Sequence, residues 1–164
     1  GSGNWIVTKY QKADGTAVVA AALIGNHDVV VHTANGHGST NTMIRRFTTA
    51  MINVGTAITY ADSAANGASF TINTTGFYSI QYTDGGPSGT HYGISLNSAQ
   101  LTTAIQSIAI ATRLSFARVT TSENAPACRT LLLTAGDVIR PHTDSAPDGA
   151  SNVTFFSIAK VGNT

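Results

Sequence analysis

Two stretches near the C-terminus decide the fold: Thr130-Leu-Leu-Leu-Thr-Ala-Gly-Asp-Val-Ile-Arg140 and, after a polar loop, Val153-Thr-Phe-Phe-Ser-Ile-Ala-Lys160. The first contains a Gly-Asp pair between two runs rich in apolar and β-branched residues. Because glycine readily adopts positive φ, this pair predicts a tight β-hairpin. The second predicts a closing strand that returns to a β core. Together they point to a β jelly roll, a scaffold that more often binds than catalyses.

Composition limits the function classes. The 164 residues suit one domain with a sizeable core. Only 10% are charged, against about 25% in an average soluble protein, and the net charge is +1. We therefore expect no binding to nucleic acid. No apolar run approaches about 18 residues, so no membrane insertion is predicted. Cys128 is the single cysteine, which excludes an internal disulfide.

The chain divides into three predicted parts. Residues 1–3 (Gly-Ser-Gly) are interpreted as a cloning remnant. Residues 4–42 are predicted to form an N-terminal lead-in, made of short strands or a stalk-like attachment segment. Residues 43–164 are predicted to form the jelly-roll domain, because β segments alternate there with turn signals. Two faces illustrate the alternation: Tyr78, Ile80 and Tyr82 in one segment, and Ile108, Ile110, Leu114 and Phe116 in another.

The order of several motifs resembles a known superfamily. The motifs are Ala68-Ser-Phe-Thr-Ile72, Thr75-Gly-Phe-Tyr-Ser-Ile80, Leu133-Thr-Ala-Gly-Asp-Val138 and Phe155-Phe-Ser-Ile158. They resemble the trimeric jelly rolls of the complement globular-head and tumour-necrosis-factor superfamily. Gly93-Ile-Ser-Leu-Asn97 and Ala135-Gly-Asp-Val-Ile-Arg-Pro-His142 are similar to bacteriophage versions, found in tail fibres and other virion surface proteins. The resemblance covers roughly residues 43–162 and implies an all-β, antiparallel, homotrimeric sandwich.

The apolar pattern gives a physical reason to expect a homotrimer. Residues 131–133 (Leu-Leu-Leu) and the run from Ile108 to Ala111 are apolar on both faces of the predicted strands. A strand that is apolar on both faces must bury the second face, often against another subunit. The alternative is that these runs belong to a central strand under a long loop.

No metal or cofactor is predicted. His27, His32 and His37 recur every five residues, which in a strand places them on alternate faces, and no thiolate accompanies them. The resemblance leaves open a metal on the trimer axis, although the usual His-x-His pair is missing. Asp144 and Asp148 lack the Asp-x-Asp-x-Asp-Gly spacing of a calcium loop.

Catalytic motifs are also missing from the sequence. Gly-x-Ser-x-Gly does not occur, and the phosphate-binding loop Gly-x-x-x-x-Gly-Lys is absent. Cys128 has no neighbouring histidine to act as a base, although Arg129 follows it, and a packing role is favoured over that of a nucleophile. The chain is therefore predicted not to be an enzyme.

Loops remain as candidate binding sites, since a rigid sandwich can hold variable loops in place. Residues 82–92 and 140–148 are the richest in aromatic, hydroxyl and charged groups, which suit a sugar, and residues 120–126 form a third candidate. The predicted ligand-binding residues are Tyr82, Asp84, His91, Tyr92, His142, Asp144 and Asp148.

Three functions follow as hypotheses. The first is a non-enzymatic, trimeric receptor-binding tip of a phage fibre or spike, on the extracellular virion surface, that attaches to a bacterial surface glycan or protein. The second is a structural virion protein, such as a capsid decoration or fibre-assembly trimer that contacts other virion proteins. Its attachment segment would be the apolar stretch 17–31. The third is a glycan-degrading enzyme, which the residues favour least.

Overall fold

The computed structural model describes residues 28–120, 126–144 and 153–164. They form two five-stranded sheets in which every pairing between strands is antiparallel. The strands are β1 Asp28–His37, β2 Arg45–Val54, β3 Ile58–Ser63, β4 Gly67–Ile72, β5 Gly76–Thr83, β6 His91–Leu96, β7 Arg113–Arg118, β8 Ala127–Leu133, β9 Val138–Thr143 and β10 Phe155–Gly162. Sheet 1 has the order β2-β1-β10-β5-β8, and sheet 2 has the order β3-β4-β9-β6-β7.

The core lies between the two sheets and follows the predicted alternation. Tyr78, Ile80 and Tyr82 on β5 are at most 1% exposed, whereas the residues between them are half-buried or exposed. Phe156 on β10 stacks on Phe70 of β4 with ring centroids 4.4 Å apart, which joins sheet 1 to sheet 2. The closing strand is therefore confirmed as a core strand. A sandwich of this kind buries the inward face of each sheet in the core, and the outward face of each sheet is not covered by the other sheet.

The Gly-Asp pair forms a tight turn, but the prediction of a hairpin was wrong. Gly136 has φ +98°, and the Asp137 carboxylate accepts hydrogen bonds from the backbone N–H and the hydroxyl of Thr134, at 2.8 and 3.0 Å. The strands on either side lie in different sheets, because β8 pairs with β5 while β9 pairs with β4 and β6. The prediction of a tight turn at Gly136 was correct. The pairing of β8 and β9 is set by strands that are distant in the sequence.

Strand β1 lies on the N-terminal side of the boundary predicted at residue 43. It pairs with β10 and β2, with Val29 and Val31 fully buried in the core. The sheets thus include part of the segment that the sequence analysis set apart as a lead-in. The rest of the segment before Asp28 lies outside the described residues.

The predicted strand through Ile108 and Ile110 was also wrong. Two short 3₁₀ turns, Ile105–Ser107 and Ile110–Thr112, precede β7, and Arg113 is the first strand residue. The two isoleucines do not share a face, because Ile108 is 4% exposed while Ile110 is 79% exposed. The backbone around them bends against the outer side of sheet 2 instead of extending along it.

Candidate functional site

The outward face of sheet 1 is unusually apolar. Within the described residues, seven of the nine exposed large hydrophobic side chains lie on its strands. They are Met51, Ile52, Val54, Phe77, Leu132, Phe155 and Val161. We refer to this surface as the apolar face. Scattered apolar side chains are ordinary on a protein surface, whereas a group of them on one sheet indicates a candidate interaction surface.

The register of the strands places the exposed apolar side chains of sheet 1 in separate groups. Phe77 of β5 lies opposite Leu132 of β8 on one side and Gly162 of β10 on the other. Between these residues and Phe155, the outward positions of β5 and β10 are small or uncharged. They are Ser79, Gln81, Thr83, Ser157 and Ala159. Among the described residues, Asp28 and His32 of β1 also take outward positions, whereas Arg129 of β8 lies opposite the core residue Ile80.

The outward face of sheet 2 is covered by the chain itself. The connection from β6 to β7 crosses it, and Ile105 in this connection is fully buried near Gly93 of β6. His142 of β9 donates a hydrogen bond from Nε2 to the Thr103 carbonyl at 2.7 Å. Arg113 donates to the Gln106 carbonyl at 2.7 Å. These contacts fasten the connection to the sheet.

Two of the predicted ligand-binding residues, Tyr82 and Asp84, belong to a buried ionic network. The Asp84 carboxylate accepts two hydrogen bonds from the Arg45 guanidinium, from Nη2 at 2.7 Å and from Nε at 2.8 Å. It also accepts from the Tyr82 hydroxyl, from the Gly85 backbone N–H and from the Thr154 hydroxyl. Arg45 and Asp84 are 1% and 0% exposed. Burial, and then the Asp84 charge, raise the pKa of Tyr82 far above its usual range.

Tyr92 and His142 are likewise interior residues. Tyr92 is fully buried and packs edge-on against Tyr82, with ring centroids 5.3 Å apart, and burial raises its pKa to about 12. Burial also lowers the pKa of His142, whose ring contacts Ser95 and Thr103. The structure therefore places these two residues, with Tyr82 and Asp84, inside the single chain, where they offer no surface to a ligand.

His91 and Asp144 are the predicted site residues that the structure brings together near the surface. The backbone N–H and the Nδ1 of His91 both bond to one carboxylate oxygen of Asp144, at 2.7 and 2.9 Å. The His91 ring stacks on Phe116, with centroids 5.1 Å apart, and the Arg113 guanidinium lies 5.5 Å from the Phe116 ring centre. Sequence reasoning did not select Phe116 or Arg113 as site residues. Asp148 lies outside the described residues.

The histidines do not converge on a metal in the described part of the chain. His37 hydrogen bonds to the Thr143 hydroxyl at 2.7 Å, and its pKa is lowered to about 4, mainly by burial and then by the Arg45 charge. His32 contacts the hydroxyl of Thr33. Among the described residues, no three histidine, cysteine, aspartate or glutamate side chains gather into a possible metal site.

The strand order and the two packed sheets define a jelly roll of the tumour-necrosis-factor-like type. Murine APRIL is similar in structure at 13% sequence identity, with a TM-score of 0.56; the match covers 83% of this chain and 99% of APRIL. GITRL from bushbaby is similar at 16% identity, with a TM-score of 0.50 and coverage of 84% and 96%. The predicted all-β jelly-roll fold is confirmed.

The other comparisons leave the assignment at the level of the fold. No protein-family model and no curated protein matches the chain. At these identities the solved structures speak for the fold alone, so the bacteriophage origin and the ligand stay predictions. In the ranges that the structure describes, no helix has the length and apolar character needed to span a membrane.

Proposed function

We propose that the chain is a homotrimeric, non-enzymatic binding module on the extracellular surface of a bacteriophage particle, where it attaches the particle to a bacterial surface glycan or protein. The observation that carries the proposal is the apolar face of sheet 1. The trimer and the phage context come from the motif order, which resembles trimeric virion surface domains.

The free energy of association comes from burial of the apolar face. Phe77, Leu132, Phe155 and Val161 are 38–58% exposed in the single chain. Each large apolar side chain that becomes fully buried contributes about 1.5–3 kcal/mol, and less when part of it is already buried. A set of adjacent side chains on three identical subunits supplies several times that amount. Self-association therefore explains why the chain keeps these residues on a surface with few charges.

Trimeric attachment also explains how a module without a deep site can hold a particle. Linked binding sites raise the effective concentration of the second and third contacts. A site with a dissociation constant of about 1 mM becomes useful when three copies act together. The ligand surfaces then belong to the parts of the protomer that stay open in the trimer, namely the side of sheet 2 and the loop ends.

Sedimentation equilibrium of the purified chain tests the assembly. The expected mass is three times the protomer mass of 16.9 kDa at micromolar concentration. A single protomer at that concentration would remove the basis of the proposal. Labelling of bacterial cells with fluorescent protein then tests attachment.

The same two experiments distinguish the attachment function from the alternative, a structural virion protein. A capsid decoration or fibre-assembly protein is expected to form the trimer but to leave bacterial cells unlabelled. The alternative relied on residues 17–31 as an attachment segment. The described end of that stretch belongs to β1, where Val29 and Val31 are core residues.

A further inference from the structure

An open depression of about 340 Å³, referred to below as the pocket, lies beside sheet 2 and is lined by Asn97, Ser98, Ala99, Val138 and Arg140. It lies where β6 ends and β9 begins, on the sheet opposite the apolar face. Its volume is near the lower end of the range for small-ligand pockets, about 300–1,000 Å³. It therefore suits one saccharide residue or a small organic anion.

Hydrogen bonds hold one wall of the pocket in place. The Asn97 side chain donates to the Asp137 carboxylate at 2.7 Å and accepts from the Val138 backbone N–H at 2.7 Å. The Asn97 backbone N–H also donates to the Val138 carbonyl at 2.9 Å. A ligand that enters does not have to order these groups, which lowers the entropy cost of binding.

Arg140 is the charged group of the pocket. It is half-buried, and no carboxylate among the described residues lies within ion-pair distance of it. Its guanidinium donates to the Ala68 carbonyl at 3.4 Å, which is long for a hydrogen bond. Burial lowers its pKa. A cation that is partly removed from water without a counter-ion gains stability when an anion arrives.

We propose that this pocket is an oxyanion subsite, in which Arg140 pairs with the carboxylate or phosphate group of an acidic saccharide. The planar guanidinium matches both groups through paired N–H donors. The Ser98 hydroxyl, which is largely buried, accepts the Gln100 N–H at 3.2 Å and still has a hydrogen to donate. Ala99 and Val138 offer apolar surface to the C–H groups of a sugar ring. The inference rests on the proposed attachment function and names its ligand class.

An NMR titration of the isotope-labelled trimer tests the subsite, with sodium glucuronate, glycerol 3-phosphate and glucose as three separate probes. We expect saturable shifts at the amides of Asn97, Ser98 and Val138 with one or both anions. Glucuronate alone would assign the site to carboxylates, and glycerol phosphate alone to phosphates. Glucose that binds as tightly as the anions would overturn the proposal.

Variants give the second arm of the test. Arg140→Gln is expected to weaken binding of the anion at least tenfold, and Arg140→Lys to weaken it less, because lysine keeps the charge but loses the paired donors. Arg118→Gln on β7 removes the same charge from the same sheet and should change the affinity less than twofold. Equal affinity in Arg140→Gln and the wild type would overturn the subsite. Circular dichroism and mass verify that each variant folds and assembles.

Cell labelling distinguishes failure of the subsite from failure of the proposed function. If the wild type and Arg140→Gln label cells equally, the subsite takes no part in attachment, so the assigned ligand class is overturned while attachment stands. If the trimer leaves cells unlabelled but binds an anion through Arg140, attachment is overturned while the subsite stands.

Discussion

The outer faces of the two sheets differ although both sheets have five strands and share one core. The outer face of sheet 2 is crossed by residues 97–112, with Ile105 fully buried beneath them. On the outer face of sheet 1, Phe77 and Leu132 lie side by side and are 44% and 47% exposed. The chain covers part of the outer face of sheet 2 with its own connection, whereas none of the described segments crosses the apolar face of sheet 1.

The same residue type has different neighbours on the outer faces of the two sheets. Exposure alone does not show this, because Phe77 on sheet 1 and Phe116 on sheet 2 are 44% and 45% exposed. Their neighbours differ. Phe77 lies among uncharged and apolar residues, whereas Phe116 contacts His91 and Arg113. Matched substitutions at such pairs test whether the two outer faces differ in function.

The largest effect is expected from Phe77→Asp on the apolar face. In each of the three copies, the substitution removes up to about 1.5–3 kcal/mol of the association free energy that comes from apolar burial. It also places a charge in the proposed interface. Sedimentation at micromolar concentration should give a protomer. Phe116→Asp is the control and should leave the trimer intact. If both variants stay trimeric, the apolar face is not the interface; if both dissociate, the two faces do not differ as described.

The next largest effect contrasts two neighbouring arginines on β2. Arg45 pairs with Asp84 in the interior, while Arg46 pairs with Asp62 in a partly exposed position, with side chains 24% and 18% exposed. Asp84→Ala leaves a buried cation without its partner and should cost about 3–5 kcal/mol of unfolding free energy. Asp62→Ala should cost less than about 1 kcal/mol.

Urea unfolding at one fixed protein concentration measures both variants, since the stability of an oligomer depends on concentration. Equal losses in the two variants would show that burial does not distinguish the pairs.

The third effect concerns the cover over sheet 2. Ile105→Ala deletes a fully buried side chain and should lower the unfolding free energy by about 2–5 kcal/mol. Ile110→Ala, in the same connection but 79% exposed, should stay within about 0.5 kcal/mol of the wild type. Thermal or urea unfolding measures the difference. An Ile105→Ala protein as stable as Ile110→Ala would mean that the connection is not fastened through this side chain.

The sequence predicted the parts of the fold that depend on local pattern. The alternation in β5 and the closing strand follow from residues two apart, and the structure confirms both. The turn at Gly136 was correct in its chemistry. The two strands that flank the turn were wrongly joined into a hairpin, because their partner strands β5 and β4 lie more than forty residues away in the chain.

The candidate site was less predictable for the same reason. Asp84 lies in a stretch rich in glycine and hydroxyl residues, which suggested an exposed loop. Its partner Arg45 is 39 positions earlier, and no local signal connects the two. Arg140 belonged to one of the predicted binding loops. The pocket that it lines also needs Asn97 and Ser98, which follow the end of β6. Burial of polar residues is set by pairing between distant segments.

The smallest effect is the pH dependence at the point where the two sheets meet. His37 of β1 contacts Thr143 of β9, and burial lowers the pKa of its ring to about 4, against an ordinary value near 6.5. Between these values the unfolded chain binds a proton that the folded chain excludes. Stability from this residue is therefore lost as the pH falls from about 6.5 to about 4, and no further below that.

The size of the loss is on the order of 1–2 kcal/mol, because part of the ring stays in contact with water. His37→Gln should remove this part of the pH dependence while keeping a hydrogen-bonding group near Thr143. The measurement is the unfolding free energy of both proteins from pH 7 to pH 4, taken as a difference so that groups common to both cancel. A difference that stays constant across this range would show that His37 takes up a proton in the folded protein as easily as in the unfolded one. Water would then reach the contact between β1 and β9.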